Sequence, residues 1–144
     1  MATERRAEVT WQGDLMSGDG VIERVGSGAV GSLDVSWPSR AQEPDGRTSP
    51  EELIAAAHAS CFAMALSHAL AQEGHAPERL SVSAAVTFEP GTGITSAALD
   101  VDGTVEGIDE AGFREAAEQA KEGCPVSQAM KGNVPLSVTA RLQR

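Results

Sequence analysis

Residues 79–90, RLSVSAAVTFEP, alternate without a break: Leu80, Val82, Ala84, Val86 and Phe88 fall on one face. A period of two predicts a strand with one buried side. GITSAALDVDGTVEG (93–107) is its expected hairpin partner, and NVPLSVTARLQ (133–143) repeats the alternation with Val134, Leu136, Val138, Ala140 and Leu142. Nearer the N-terminus, AEVTWQ (7–12) and GVIERVGSGAVGSLDVSW (20–37) read as short strands broken by glycines, giving an antiparallel sheet over 7–37. Between these β regions the period changes. From Pro50 to about Gln72 the chain is apolar nearly all round, which places a helix in a core or an interface rather than on a surface. Ser49 is its expected N-cap, Pro50 stands at N1, and Glu52 at N3 completes a capping box. A second helix starts at Asp109, with Ile108 and Phe113 spaced as a hydrophobic staple, and ends near Gly123. CPVSQAM then predicts a short third helix with Pro125 at N1.

The order βββ, helix, ββ, helices, β predicts an α+β fold, with antiparallel sheet packed on a buried helix. At 144 residues the chain fits one domain, 1–144, with a sizeable core. The segment PSRAQEPDGRTSP (38–50) predicts a loop of about a dozen residues, long enough to point to function.

Composition narrows the classes. Apolar residues make up 41% and charged residues 22%, and the formal net charge is −10. A chain this acidic lacks the Lys/Arg clusters that hold a phosphate backbone, and the absence of Tyr leaves no stacking platform, so nucleic acid is not an expected partner. The charge also disfavours an anionic membrane surface. The near-uncharged apolar stretch 53–67 is shorter than the ~20 residues of a membrane span. No apolar run follows the arginines of MATERRAEVTWQG, which predicts no signal peptide and a cytoplasmic setting. There a cysteine pair is more often redox-active or metal-binding than structural.

The two cysteines differ on local grounds. Cys124 stands at the start of the helix that begins with Pro125, where free N–H groups favour a thiolate. Cys61 lies about a dozen residues into its apolar helix, where burial raises a thiol's pKa unless a cation is near. No Lys or Arg occurs between Arg47 and Arg79, so a cation for Cys61 must come from elsewhere, and Arg40 and Arg47 in the 38–50 loop are the candidates. His58 shares a helix face with Cys61 at i, i+3, a spacing that more often marks a hydrogen-bonded core residue than a ligand.

TSPEELIAAAHASCFAMALS followed by GCPVSQAMKGNVPLSV strongly resembles the OsmC/Ohr family, the osmotically inducible protein C and organic hydroperoxide resistance proteins. AAHASCF and CPVSQ are closer to the OsmC branch, since Ohr usually has Tyr at the position of His58. The resemblance implies an OsmC-like fold, antiparallel sheets wrapped around a long buried central helix in an intertwined homodimer with two interfacial sites. It implies a thiol-dependent peroxidase of oxidative and osmotic stress defence that reduces organic hydroperoxides and, less well, hydrogen peroxide. Cys61 matches the peroxidatic cysteine, Cys124 the resolving one, Glu51 the family's glutamate and Arg40 its arginine, with Arg47 as the alternative. An external dithiol completes the cycle, a role a lipoylated protein fills in Ohr-type relatives. No metal or organic cofactor is implied.

Helix arithmetic constrains this set. Glu51 and Cys61 are ten positions apart, about 15 Å along one helix and roughly 80° out of phase. The expectation is therefore that the Arg–Glu pair reaches each Cys61 from the partner subunit, or that a long arginine spans the gap. Two other classes stay open: a non-enzymatic carrier of an apolar ligand on the same fold, and a zinc site built from Cys61, Cys124 and His58.

Overall fold

The computed structural model describes residues 1–143. Strands β1 (Ala7–Gln12), β2 (Asp19–Val25) and β3 (Leu33–Val35) are followed by helices α1 (Trp37–Ala41) and α2 (Pro50–Gln72). Then come β4 (Arg79–Glu89), β5 (Gly93–Thr104), α3 (Glu110–Gly123), α4 (Pro125–Met130) and β6 (Leu136–Leu142). The chain forms two compact units, Met1–Leu53 and Ile54–Arg144.

In the first unit β1, β2 and β3 make the expected antiparallel sheet, in that order. The 38–50 segment differs from expectation, because its start is helical. Ser36 caps α1 by accepting the Ser39 N–H (3.1 Å), while the Ser36 N–H donates to Ser39 Oγ (3.0 Å). Pro38 sits in the first turn, where its missing N–H costs nothing. A Ser–Trp–Pro–Ser start thus nucleates one turn that a count of loop-forming residues hides. Thr48 pairs with Val35 in an isolated parallel bridge just before α2 begins. The Glu52 N–H donates to Ser49 Oγ (3.1 Å), as a cap should, but the Glu52 carboxylate accepts from the Thr48 hydroxyl (2.8 Å) rather than closing the box on Ser49.

The second unit carries the core. β4 and β5 pair antiparallel over their full lengths, with Leu80, Val82, Ala84, Val86 and Phe88 on the half-buried face. β6 pairs with β5 in parallel, which corrects the expectation of antiparallel sheet throughout. The reason lies in the connection: α3 and α4 carry the chain back along the sheet, and a crossover of that length returns a strand in the same direction. The cap of α3 forms as expected, with Asp109 Oδ1 accepting the Gly112 N–H (2.8 Å), and Ile108 packs against the core cluster that contains Phe113. The Phe113 ring then lies so close to β5 that a Cβ on Gly103 would come within 2.4 Å of it, so only glycine fits there.

α2 is apolar all round, but a single stripe is buried: His58, Phe62, Leu66 and Leu70, each four residues from the last. Phe62, Leu66 and Leu70 of this stripe pack with Leu99, Val101, Phe113, Ala117, Cys124 and Ala140. Each fully buried Leu or Phe contributes about 1.5–3 kcal/mol from removal of apolar surface. The opposite face of α2 is open in a single chain, where Met64 is 72% exposed. At 23 residues α2 is long and apolar enough to span a bilayer by length and composition. That length exceeds the 53–67 stretch because the helix takes in its charged and polar ends. In the single chain one stripe of it is buried in the core cluster while the rest of its apolar surface is left uncovered.

Candidate active site

Two groups of side chains carry chemistry. The first lies in the unit Met1–Leu53. Arg40, in the last turn of α1, meets Glu51, the second residue of α2. Arg40 Nε donates to Glu51 Oε1 (3.0 Å) and Oε2 (3.2 Å), and Nη2 donates to Oε2 (2.8 Å). This is the bidentate, charge-assisted geometry at which arginine surpasses lysine. Glu51 is only 6% exposed and lies in the first turn of its helix, where the free N–H groups favour a negative charge. The Arg40 side chain keeps 32% of its surface in solvent, so the guanidinium is anchored by Glu51 while part of the side chain stays accessible. Arg47, the alternative cation, is exposed and lines a cleft of about 620 Å³ with Ser17, Ser36, Gln42 and Asp45.

The second group lies in the unit Ile54–Arg144 and joins α2 to the start of α4. Cys61 and Cys124, 63 positions apart in sequence, interact directly, and both are free thiols. Cys61 is half-buried; Cys124, at the N-cap of α4, is fully buried. Burial pushes the Cys61 thiol above its ordinary value, and its hydrogen bond to Cys124 pushes the same way, against an opposing N–H from Val126. Burial alone would raise Cys124 too. There the hydrogen bond from Cys61, the Ser127 hydroxyl, and the N–H groups of Ser127 and Val126 together outweigh it and bring the thiol below its ordinary value. Within one chain, then, Cys124 is the more acidic thiol, as the local argument expects, and no cation is among the groups acting on Cys61.

Sequence reasoning left out Ser127. It is buried, stands at the third position of α4, and its Oγ lies 2.8 Å from His58 Nε2. His58 is fully buried, its Nδ1 has no hydrogen-bond partner, and burial lowers its pKa below the usual 6.5. The signal was the matched spacing: His58 and Cys61 on one helix, and Cys124 and Ser127 at the start of another, both at i, i+3. Among the described residues, no three His, Cys, Asp or Glu side chains are grouped to hold a metal ion.

The family profile described as OsmC-like protein matches residues 43–139, about two thirds of the chain. The chain belongs to the OsmC family. It is 37% identical over 139 residues to Peroxiredoxin OsmC of Escherichia coli K12, covering 94% of this chain and 96% of that one. The crystal structure of the organic hydroperoxide resistance protein OhrB of Bacillus subtilis superposes with a TM-score of 0.71 at 26% identity, covering 96% of this chain and 98% of that one. The OsmC-like protein of Mycoplasma pneumoniae has the same fold, with a TM-score of 0.70 at 11% identity over 99% of this chain and all of its own. The family assignment agrees with the resemblance carried by AAHASCF and CPVSQ, and with the OsmC rather than the Ohr branch.

Proposed function

We propose that the chain is a thiol-dependent peroxidase that reduces organic hydroperoxides through Cys61 and Cys124 as part of cytoplasmic stress defence. The observation that carries this reading is the contact between two free thiols of unequal exposure. A peroxide can approach the half-buried Cys61, whereas Cys124 has no exposed surface. Access therefore assigns Cys61 as the nucleophile even though Cys124 is the more acidic thiol within one chain.

In the first step the Cys61 thiolate attacks the outer peroxide oxygen. The O–O bond breaks, the departing alkoxide takes a proton and leaves as alcohol, and Cys61 becomes a sulfenic acid. The Cys124 thiolate then attacks the Cys61 sulfur, forming the disulfide and releasing hydroxide, which leaves as water on protonation. An external dithiol, such as a lipoylated protein, supplies two electrons and two protons to restore both thiols.

Attack at neutral pH needs the Cys61 thiolate, and burial works against it. Arg40 is the cation we assign to this task, with Glu51 holding it. A guanidinium beside a sulfur lowers its pKa, and Arg40 is held in place for that by its bidentate bond to Glu51. In a homodimer whose interface includes the open apolar face of α2, Arg40 and Glu51 of one chain would serve Cys61 of the other.

The test is consumption of cumene or tert-butyl hydroperoxide with a dithiol, followed by peptide mapping after one equivalent of peroxide. The expected product is a Cys61–Cys124 disulfide within one chain. Full turnover by Cys61→Ser would overturn the assignment.

A further inference from the structure

His58 is the buried titratable group that the cycle above leaves unused. It is wholly enclosed, has one polar contact and presents one bare ring nitrogen. Two i, i+3 pairs face each other across α2 and the start of α4, Cys61 opposite Cys124 and His58 opposite Ser127. The second pair sits one turn behind the first.

A neutral imidazole has one N–H and one bare nitrogen, and a buried N–H without an acceptor is the rarer and costlier of the two defects. Nδ1 has no partner, so the proton belongs on Nε2, where the Ser127 oxygen lies at 2.8 Å. A serine hydroxyl has one proton to give. Accepting from His58 leaves that proton free for another acceptor; Cys124 and Ser127, the N-cap and third residue of α4, are buried together there, and the Ser127 hydroxyl acts on the Cys124 sulfur in the sense that favours a thiolate. The opposite tautomer would draw the Ser127 proton onto His58, turn an oxygen lone pair toward Cys124 and bury an unpaired N–H.

We propose that His58 is a positioning residue for Cys124: its Nε2–H donates to Ser127 Oγ and so holds the Ser127 hydroxyl proton on the Cys124 sulfur. This deepens the two-cysteine reading and rests on it where Cys124 is called resolving; the His58–Ser127 hydrogen bond itself does not. Its consequence for the cycle is a Cys124 that stays thiolate while it waits for the Cys61 sulfenic acid, which shortens the time in which a second peroxide can oxidise Cys61 to the sulfinic acid. The groups acting on Cys124 are the Cys61 thiol from α2 and, from α4, the Ser127 hydroxyl and the Val126 and Ser127 N–H groups; no acidic or basic side chain is among them.

The experiment is a pH titration of the Cys124 thiolate by its ultraviolet absorbance in the Cys61→Ser chain, which has one cysteine. In that background, His58→Phe and Ser127→Ala should each raise the Cys124 pKa by about one unit, the effect of one hydrogen bond to a charged acceptor. The two together should do no more than Ser127→Ala alone. His58→Gln, whose amide can still donate to Ser127, should restore most of the shift. An unmoved titration in a folded His58→Phe chain overturns the proposal, as does a shift that Ser127→Ala adds to in full. Should His58→Phe fail to fold, nitrogen-15 shifts of the His58 ring in the unsubstituted chain decide instead: a proton on Nε2 supports the proposal and one on Nδ1 ends it. Neither readout uses peroxide, so failure of the peroxidase reading, seen as no hydroperoxide consumption by the unsubstituted chain, is a separate result.

Discussion

Arg40 and Glu51 are eleven residues apart and meet through full charges at the start of α2. Cys61 and Cys124 are 63 residues apart and meet among apolar side chains further along the same helix. The ion pair is set locally, by a capped turn, a proline and a helix start. The thiol pair exists only because α3 and α4 bring the chain back onto α2. The two also differ in what they lack. The ion pair has charge and partial exposure, but neither residue is a nucleophile toward peroxide. The thiol pair has the sulfur we propose as nucleophile, but burial and the second thiol both disfavour ionisation of Cys61.

The largest expected effect removes the nucleophile. Cys61→Ser should abolish dithiol-dependent hydroperoxide turnover, a loss of several orders of magnitude, while the fold, read by circular dichroism, stays intact. Cys124→Ser should separate the two thiols' roles. It should permit one oxidation of Cys61 and then stop, with sulfinic acid at Cys61 seen by mass spectrometry. Steady turnover by Cys124→Ser with a small dithiol would show that the buried thiol is not the resolving one.

Breaking the ion pair tests whether the two regions act together. Arg40→Met leaves the Glu51 carboxylate buried without its cation, which should cost about 3 kcal/mol of stability, read as a lower urea midpoint. It should also raise the Cys61 pKa in the assembled protein and depress turnover at neutral pH. Mixing decides between subunits. If Arg40 serves the partner's Cys61, refolding Cys61→Ser with Arg40→Met chains should regenerate about a quarter of the sites, because a two-fold heterodimer has one intact site. If Arg40 serves its own chain, mixing restores nothing.

How much of this was legible beforehand follows the same local and long-range division. The α2 cap at Ser49, the α3 cap at Asp109 and the β4–β5 hairpin are short-range patterns, and the structure keeps them. The α1 turn was missed because its capping partners are two serines in a segment rich in loop formers. The direction of β6 was missed because alternation shows which side chains share a face and says nothing of strand direction. Arg40 and Glu51 do come together, as the resemblance implies, and so do the two cysteines. Ser127 escaped notice because its significance rests on His58, 69 residues away.

His58 gives a smaller effect with a definite sign. Its folded pKa lies below the unfolded value of 6.5, so below that pH the unfolded chain binds the proton more readily. Stability from this group is therefore full above pH 6.5 and declines as the pH falls, until the folded pKa is passed. The slope is at most about 1.4 kcal/mol per pH unit. Urea midpoints at pH 7.5 and pH 5 should show this drop, and His58→Gln should reduce it; an equal drop in both chains would place the acid sensitivity elsewhere.

The smallest expected effect concerns the second arginine. Arg47 is exposed and lies in the 620 Å³ cleft among Ser17, Ser36, Gln42 and Asp45, whereas Arg40 carries the bidentate bond to Glu51. A guanidinium fixed by a buried carboxylate loses less rotamer freedom on meeting a substrate than one on an exposed side chain, an advantage on the order of 1 kcal/mol. Arg47→Ala should accordingly leave turnover within about twofold and stability within about 0.5 kcal/mol of the unsubstituted chain. A loss with Arg47→Ala as large as that with Arg40→Met would reverse the assignment. The anchored pair would then be a structural clamp at the start of α2, and the exposed arginine the cation that ionises Cys61.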